Sequence, residues 1–311
     1  MKKIYTYSLI VVSILFLGTN DSVAQQNNMS SQYMFSHLTI NPAYAAAKPF
    51  VSASFMFRKQ WTGFDGAPVT ETASVQGLLS NKKVGLGAVI SNDKLGITNQ
   101  TDFFGNYAYL LPTGKGNLSL GLRGGFSLYS SNLSDLIYWD TNDPVYELNT
   151  ATDFLPNAGF GAFYFQEKFY AGFSVPYLLN YDPNKSISVK GDQLHRLIRH
   201  YYVSGGYVID VNPEVKVKPN LLVKYVEAAP VQFDMNVNVL LSDIIWIGAS
   251  YRSGDAILGL VEYKLTDKFR IGYSYDATLT DIRNFSSGSH EIMIGLDFGR
   301  DVLKIADPRY F

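Results

Sequence analysis

The residues able to do acid–base or metal chemistry are few, and none stands in a catalytic setting. The four histidines are His37, His195, His200 and His290. HExxH and GxSxG are absent, and no histidine pair stands at metal-binding spacing with a third ligand. Arg196 and Arg199 sit beside His195 and His200 and would repel a cation. Ser289 and His290 are sequence neighbours, so in a strand they face opposite sides and form no nucleophile–base pair. Asp140, Asp143 and Asp153 suggest calcium by type, but their spacing fits no EF-hand loop. The chain has no cysteine, which removes thiolate catalysis, disulfides, Cys-ligated zinc or iron–sulfur sites, and lipoprotein anchoring. No enzyme, metal or cofactor is expected, so function is sought in binding surfaces.

The remaining charges fall at alternate positions of otherwise apolar runs. Arg58, Arg123, Lys216, Lys218, Lys224, Arg252, Glu262, Arg270, Asp276, Glu291 and Asp297 all lie on the polar side of such runs. If those runs are strands of a barrel, the charges point into its lumen. Two roles follow: an anion-selecting pore lining, or a salt-bridge network filling a closed interior. Both signs are interspersed along successive segments, which favours a network built from Arg123, Arg252, Glu262, Arg270 and Asp276.

The elements that would position these charges are strands. Leu118, Leu120, Leu122, Gly124, Phe126 and Leu128 alternate with Ser119, Gly121, Arg123, Gly125 and Ser127. The same period of two runs through 232–241, 245–252, 268–276 and 290–299. Such runs are longer than ordinary soluble strands and suit a tilted membrane strand of about 9–11 residues. Fourteen strands are expected, near 51–60, 70–79, 83–91, 98–111, 117–128, 154–165, 169–176, 200–209, 215–226, 232–241, 245–252, 256–264, 268–276 and 290–299. Pro219 falls inside the ninth, where a bulge or distortion is expected. Connections after even strands are short. Those after odd strands include the long ones at 61–69, 129–153, 177–199 and 277–289, the asymmetry of outer-membrane barrels.

Composition agrees. Charged residues are only 17% and balanced, with a net charge of −1, so no basic face exists for nucleic acid. The 22 tyrosines suit membrane interfaces, where Tyr107, Tyr109, Tyr129, Tyr164, Tyr207, Tyr225, Tyr251, Tyr263 and Tyr275 are girdle candidates. Lys2 and Lys3, an apolar stretch from Ile4 to Gly18, and Ser22-Val23-Ala24 read as a signal peptide over 1–24. A plug or periplasmic segment over 25–50 and an all-β, 14-stranded antiparallel transmembrane barrel over 51–311 then follow, in the outer membrane with both termini periplasmic and lipid around the wall. A periplasmic β-sandwich is the alternative to a barrel.

Three stretches carry a resemblance. They are Gln32-Tyr33-Met34-Phe35 leading to Ile40-Asn41-Pro42-Ala43-Tyr44-Ala45, then Arg58-Lys59-Gln60-Trp61-Thr62-Gly63-Phe64-Asp65-Gly66-Ala67-Pro68-Val69-Thr70, and the C-terminal Asp307-Pro308-Arg309-Tyr310-Phe311. Together they resemble the PorP/SprF family of Bacteroidetes outer-membrane proteins over essentially the whole mature chain. Ala46 stands where members usually have Gly. The resemblance implies association with type IX secretion or gliding machinery, and an anchor that helps export or hold a secreted, adhesin-like surface protein. The different reading is a porin or hydrophobic-solute channel. In the anchor reading, the 61–70 loop joins the long loops, with Trp61, Tyr138, Trp139 and Tyr146 as contacts and its glycines giving flexibility. Equally, that loop folds in over the barrel mouth. Asn41-Pro42-Ala43-Tyr44 is read as a structural plug, Asn-Pro favouring a turn.

Overall fold

The computed structural model describes residues 30–80, 82–132, 152–179, 199–226 and 229–299. Among them, fourteen antiparallel strands close into a barrel. In chain order they are β1 (Val51–Lys59), β2 (Val69–Leu78), β3 (Val84–Leu95), β4 (Thr98–Thr113), β5 (Gly116–Ser131), β6 (Asp153–Phe165) and β7 (Phe169–Val175). They continue with β8 in two runs (His200–Tyr207 and Ile209–Asn212), β9 (Val215–Val226), β10 (Gln232–Leu241), β11 (Ile245–Arg252), β12 (Ala256–Lys264), β13 (Phe269–Thr278) and β14 (Ser289–Phe298). Each strand pairs with its neighbour in sequence, and β14 closes on β1 from Val51↔Phe298 to Lys59↔His290. Closure gives every strand a neighbour on each side, the condition for a sheet in hydrocarbon.

The wall is apolar outside and polar inside, the inverse of a soluble protein. Leu122, Phe154, Met235 and Ile257 are exposed outward at 63, 60, 56 and 51%. Arg123, Lys218, Asp234, Arg252 and Glu291 are buried within. This inversion excludes the sandwich, whose core would hold the leucines. Outward-facing tyrosines lie near both ends of the wall. Tyr109, Tyr207 and Tyr263 sit near the short-turn end, and Tyr225, Tyr251 and Tyr275 near the long-connection end.

Several boundaries differ from the sequence reading. β3 runs on to Leu95, so β3 and β4 turn tightly through 96–97, and β4 and β5 reach 16 residues each. At Pro219 no bulge forms. Pairing to β10 runs through it in unbroken register, and the missing N–H coincides with the one-residue gap at Val208 that splits β8. The register shift instead lies at Val215/Lys216. β7 is short, and after Val175 the chain leaves the wall and turns into the mouth. There the Tyr177 hydroxyl donates to Asp102 Oδ2 at 3.2 Å, and its ring stands edge-on to Phe104. The start of the connection read as an outer loop over 177–199 is therefore inward.

Three short 3₁₀ turns precede β1: η1 (Tyr33–Phe35), η2 (His37–Thr39) and η3 (Pro42–Ala46). Nearly every residue from Ser31 to Phe50 is buried, and this segment fills the lumen. The residues of both termini, expected in the periplasm, lie outside the described ones. β14 ends on the short-turn side, whereas the described chain begins with Ser30 at the long-connection mouth and descends to β1.

Candidate functional site

The descending segment is held by two different chemistries. Its lower part sits in notches cut by glycines on the polar face of the wall. A Cβ on Gly85 would lie 2.5 Å from the Ala45 carbonyl and from Ala46, one on Gly121 would fall onto the backbone of Ala43, and one on Gly161 onto Asn41. Glycine in a strand interior marks such close backbone approach. The small residues Ala43, Ala45 and Ala46 are the matching surface. Asn41 caps η3 by accepting from Ala43 N at 3.0 Å, and its Nδ2 donates to the Ala162 carbonyl at 3.1 Å. Pro42 starts η3, where no N–H is needed. Ser119 and Ser174 donate to the Ala43 and Ile40 carbonyls at 2.6 and 2.8 Å. Arg123 donates to the Thr39 carbonyl at 3.1 Å, to the Leu38 carbonyl, and to Asn106 Oδ1 at 2.8 Å. Tyr44 packs edge-on against Phe163, and His37 lies among Tyr33, Tyr44, Phe163 and Tyr170. Burial and the charges of Lys218 and Lys48 hold His37 well below its ordinary 6.5.

The upper part is clasped by carboxylates. Glu291 accepts from Ser30 Oγ at 2.6 Å, Ser31 N at 2.9 Å and Gln32 N at 3.0 Å. Asp276 accepts from Ser31 Oγ at 2.7 Å. Arg58 neutralises both acids, at 2.7 Å from Asp276 and 3.4 Å from Glu291. The ion pairs continue round the wall: Arg252 with Asp234 at 3.0 Å and Asp276 at 3.8 Å, and Arg270 with Glu262 at 3.1 Å and Asp297 at 3.7 Å. Four of the five charges read as one network thus form two buried groups, Arg252–Asp276 and Arg270–Glu262. Arg123 holds the plug instead.

The rim loop between β1 and β2 is welded to its neighbours. Gln60 N donates to the Pro68 carbonyl at 2.9 Å and closes it, and Thr62 N donates to the Gly288 carbonyl at 2.7 Å. Ser287 N returns a bond to the Thr62 carbonyl at 2.8 Å, and Gly96 N reaches the Gly66 carbonyl at 2.8 Å. Gly63 and Gly66 have φ of 97° and 73°, so they provide left-handed turns and not the flexibility read from the sequence. Trp61, itself at φ 47°, donates its N–H to Ser289 Oγ at 3.1 Å and is half-buried. Ala67 N donates to the Phe64 carbonyl, Pro68 is buried, and Thr70 donates to Asp93 at 2.8 Å. Phe64 on this loop and Phe285 on the 279–288 loop are exposed at 47 and 70%. Ser289 points inward while His290 meets Tyr273 outside at 2.7 Å, so the two lie on opposite faces.

A family model described as "Type IX secretion system membrane protein PorP/SprF" matches residues 22–296. The chain belongs to the PorP/SprF family. It is an outer-membrane β-barrel of the type IX secretion system. No match is found among curated proteins. Among solved structures, this PorP/SprF chain is similar to the Acinetobacter baumannii outer membrane protein Omp33, at 10% identity and TM-score 0.47, over 81% of this chain and 100% of that one. It is also similar to the TodX deltaS2S3 mutant monoaromatic hydrocarbon channel, at 9% and 0.49, over 86% and 93%.

Of the candidates named from sequence, the rim set (Arg58, Gln60, Trp61, Gly63, Gly66, Ala67, Pro68, Thr70) shares one end of the barrel, and Asn41, Pro42 and Tyr44 lie in the lower lumen. Tyr138, Trp139, Tyr146, the signal region and the C-terminal Arg309-Tyr310-Phe311 lie outside the described residues. Sequence reasoning missed Ser31, Gln32, Ser119, Ser174 and the notch glycines. The signal was the glycine content of the polar face, which needs an opposing backbone to be interpreted.

Proposed function

We propose that this PorP/SprF barrel is a closed anchor in type IX secretion, whose outer rim receives an exported surface protein. The observation that carries this reading is the occupied lumen: residues 31–50 run from one mouth towards the other in contact with the wall. A porin or hydrophobic-solute channel would need that segment expelled. The rim offers a rigid platform, built from 60–70, 95–97 and 279–288, with Phe64 and Phe285 raised above it. Exposed aromatics on a pre-ordered surface contribute contact energy at low entropic cost. The polar groups of the lumen serve to position the segment, and the function involves no catalytic step.

The test pairs two measurements. Replacing Phe64 and Phe285 together with Ser should release an exported protein from the cell surface, measured by mass spectrometry of surface-shaved cells, with barrel abundance unchanged. Purified wild-type barrel in planar bilayers should show no steady conductance. An unchanged surface proteome removes the rim site, and a stable open current in the wild type replaces the anchor with a channel.

A further inference from the structure

On the outside of the wall, at the long-connection end, one row of side chains interrupts the apolar surface with cations. Pairing runs Tyr275↔His290↔Lys59↔Val69↔Lys94 across β13, β14, β1, β2 and β3. Adjacent strands stand about 4.8 Å apart, so Lys59 is next to His290 and about 10 Å from Lys94. Two residues deeper the outward row is Tyr273, Ile292, Phe57 and Glu71, and two deeper again it is Ile271, Ile294, Phe55 and Ala73. Charge therefore gives way to hydrocarbon within two rows, the profile of a lipid headgroup above its acyl chains. The long connections of such barrels face outward, which places this row at the outer leaflet.

The row is pre-ordered. His290 Nδ1 and the Tyr273 hydroxyl meet at 2.7 Å, and the Tyr275 hydroxyl donates to the Ser287 carbonyl at 2.9 Å. The Tyr275 ring centre lies 5.2 Å from that of the imidazole. With Nδ1 engaged, Nε2 is the imidazole nitrogen left for a ligand. Charge balance separates this row from the other end of the barrel. There Lys168, Lys216 and Lys264 each hold a carboxylate, at 2.7, 2.6 and 2.5 Å. Among the described residues, Lys59 and Lys94 are exposed and neither forms an ion pair, and Glu71 is the one acid on the two rows. An anion from outside the protein completes the balance, and a phosphate suits two ammonium groups and an imidazole N–H.

We propose that this row binds the phosphate of an outer-leaflet glycolipid through Lys59, Lys94 and His290, with the acyl chains lying on Ile292 and Phe57. The apolar rows directly beneath the cations are what select a lipid over free phosphate. The site is on the lipid side of the wall and stands whether or not Phe64 and Phe285 receive an exported protein.

The test titrates the full-length barrel, in detergent, with lipid A and counts bound lipid by native mass spectrometry. Lys59→Met and Lys94→Met should each weaken binding about fivefold, and the double variant about 25-fold. Lys115→Met, at the opposite end, and Phe64→Ser/Phe285→Ser should bind as wild type. Dephosphorylated lipid A and phosphatidylglycerol should bind wild type no better than lipid A binds the double variant, and excess inorganic phosphate should not displace lipid A. Equal binding of lipid A by wild type and the double variant overturns the site, as does equal binding of the dephosphorylated lipid. Equal binding of phosphatidylglycerol reduces the row to a general anionic-lipid contact, and displacement by inorganic phosphate makes it a free-phosphate site. Either result overturns the glycolipid.

Discussion

Arg123→Met tests whether the seat of the plug is set by one guanidinium. Methionine keeps the length of the buried stem and removes the donors to the Leu38, Thr39 and Asn106 oxygens. The two main-chain carbonyls then have no donor in a dry site. Taking about 1.5 kcal/mol for each charge-assisted bond gives about 3 kcal/mol lost from the seated state. At 1.36 kcal/mol per decade, the opening constant of the segment rises by about two decades. Native-state hydrogen exchange reads this directly. The reporting amides are those of Ile40, Asn41, Tyr44 and Ala47, bonded within the plug at 2.8 to 3.1 Å. Their exchange should accelerate about a hundredfold while that of β12 and β13 is unchanged. Arg123→Lys, which presents a compact ammonium in place of the fork, should fall between. Protection within about threefold of wild type at these amides would refute the reasoning, because it would place the seat energy in the glycine notches alone.

Gly121→Val should unseat the same segment by at least about 2 kcal/mol through backbone overlap at Ala43. Gly124→Ala, with open space around its Cβ, should be neutral, and equal exchange in both variants would discount the notch. Protection of 38–46 should fall as pH drops below 6.5. His37 is held well below that value when seated, so the unseated form takes up the proton, and stability is complete above 6.5 and lost beneath it. His37→Phe should flatten the profile between pH 4 and 7, and a wild-type profile already flat there contradicts a buried neutral imidazole. Asn41→Ala removes the η3 cap and the bridge to Ala162, at about 1–2 kcal/mol. Exchange at Ala43 within a factor of two of wild type would assign the turn to Pro42 alone.

The alternation of residues such as Leu118 to Leu128 determined the barrel by itself. Each strand position meets either lipid or lumen, and that choice is written in the residue's own polarity. Strand number, the inward face of Arg58, Arg252 and Glu291, and the opposite faces of Ser289 and His290 were legible for the same reason. So was the rim motif as a turn, though its glycines proved to set left-handed φ values. What fills the lumen was decided only by tertiary structure. Gly121 and Gly161 read as weak strand residues until Ala43 and Asn41 lie across them, some 78 and 120 positions away in sequence. Tyr177 reads as the start of an outer loop until it reaches Asp102. The division of Arg123 from the other lumen charges had no local mark either, because its partners are main-chain carbonyls, which every residue carries.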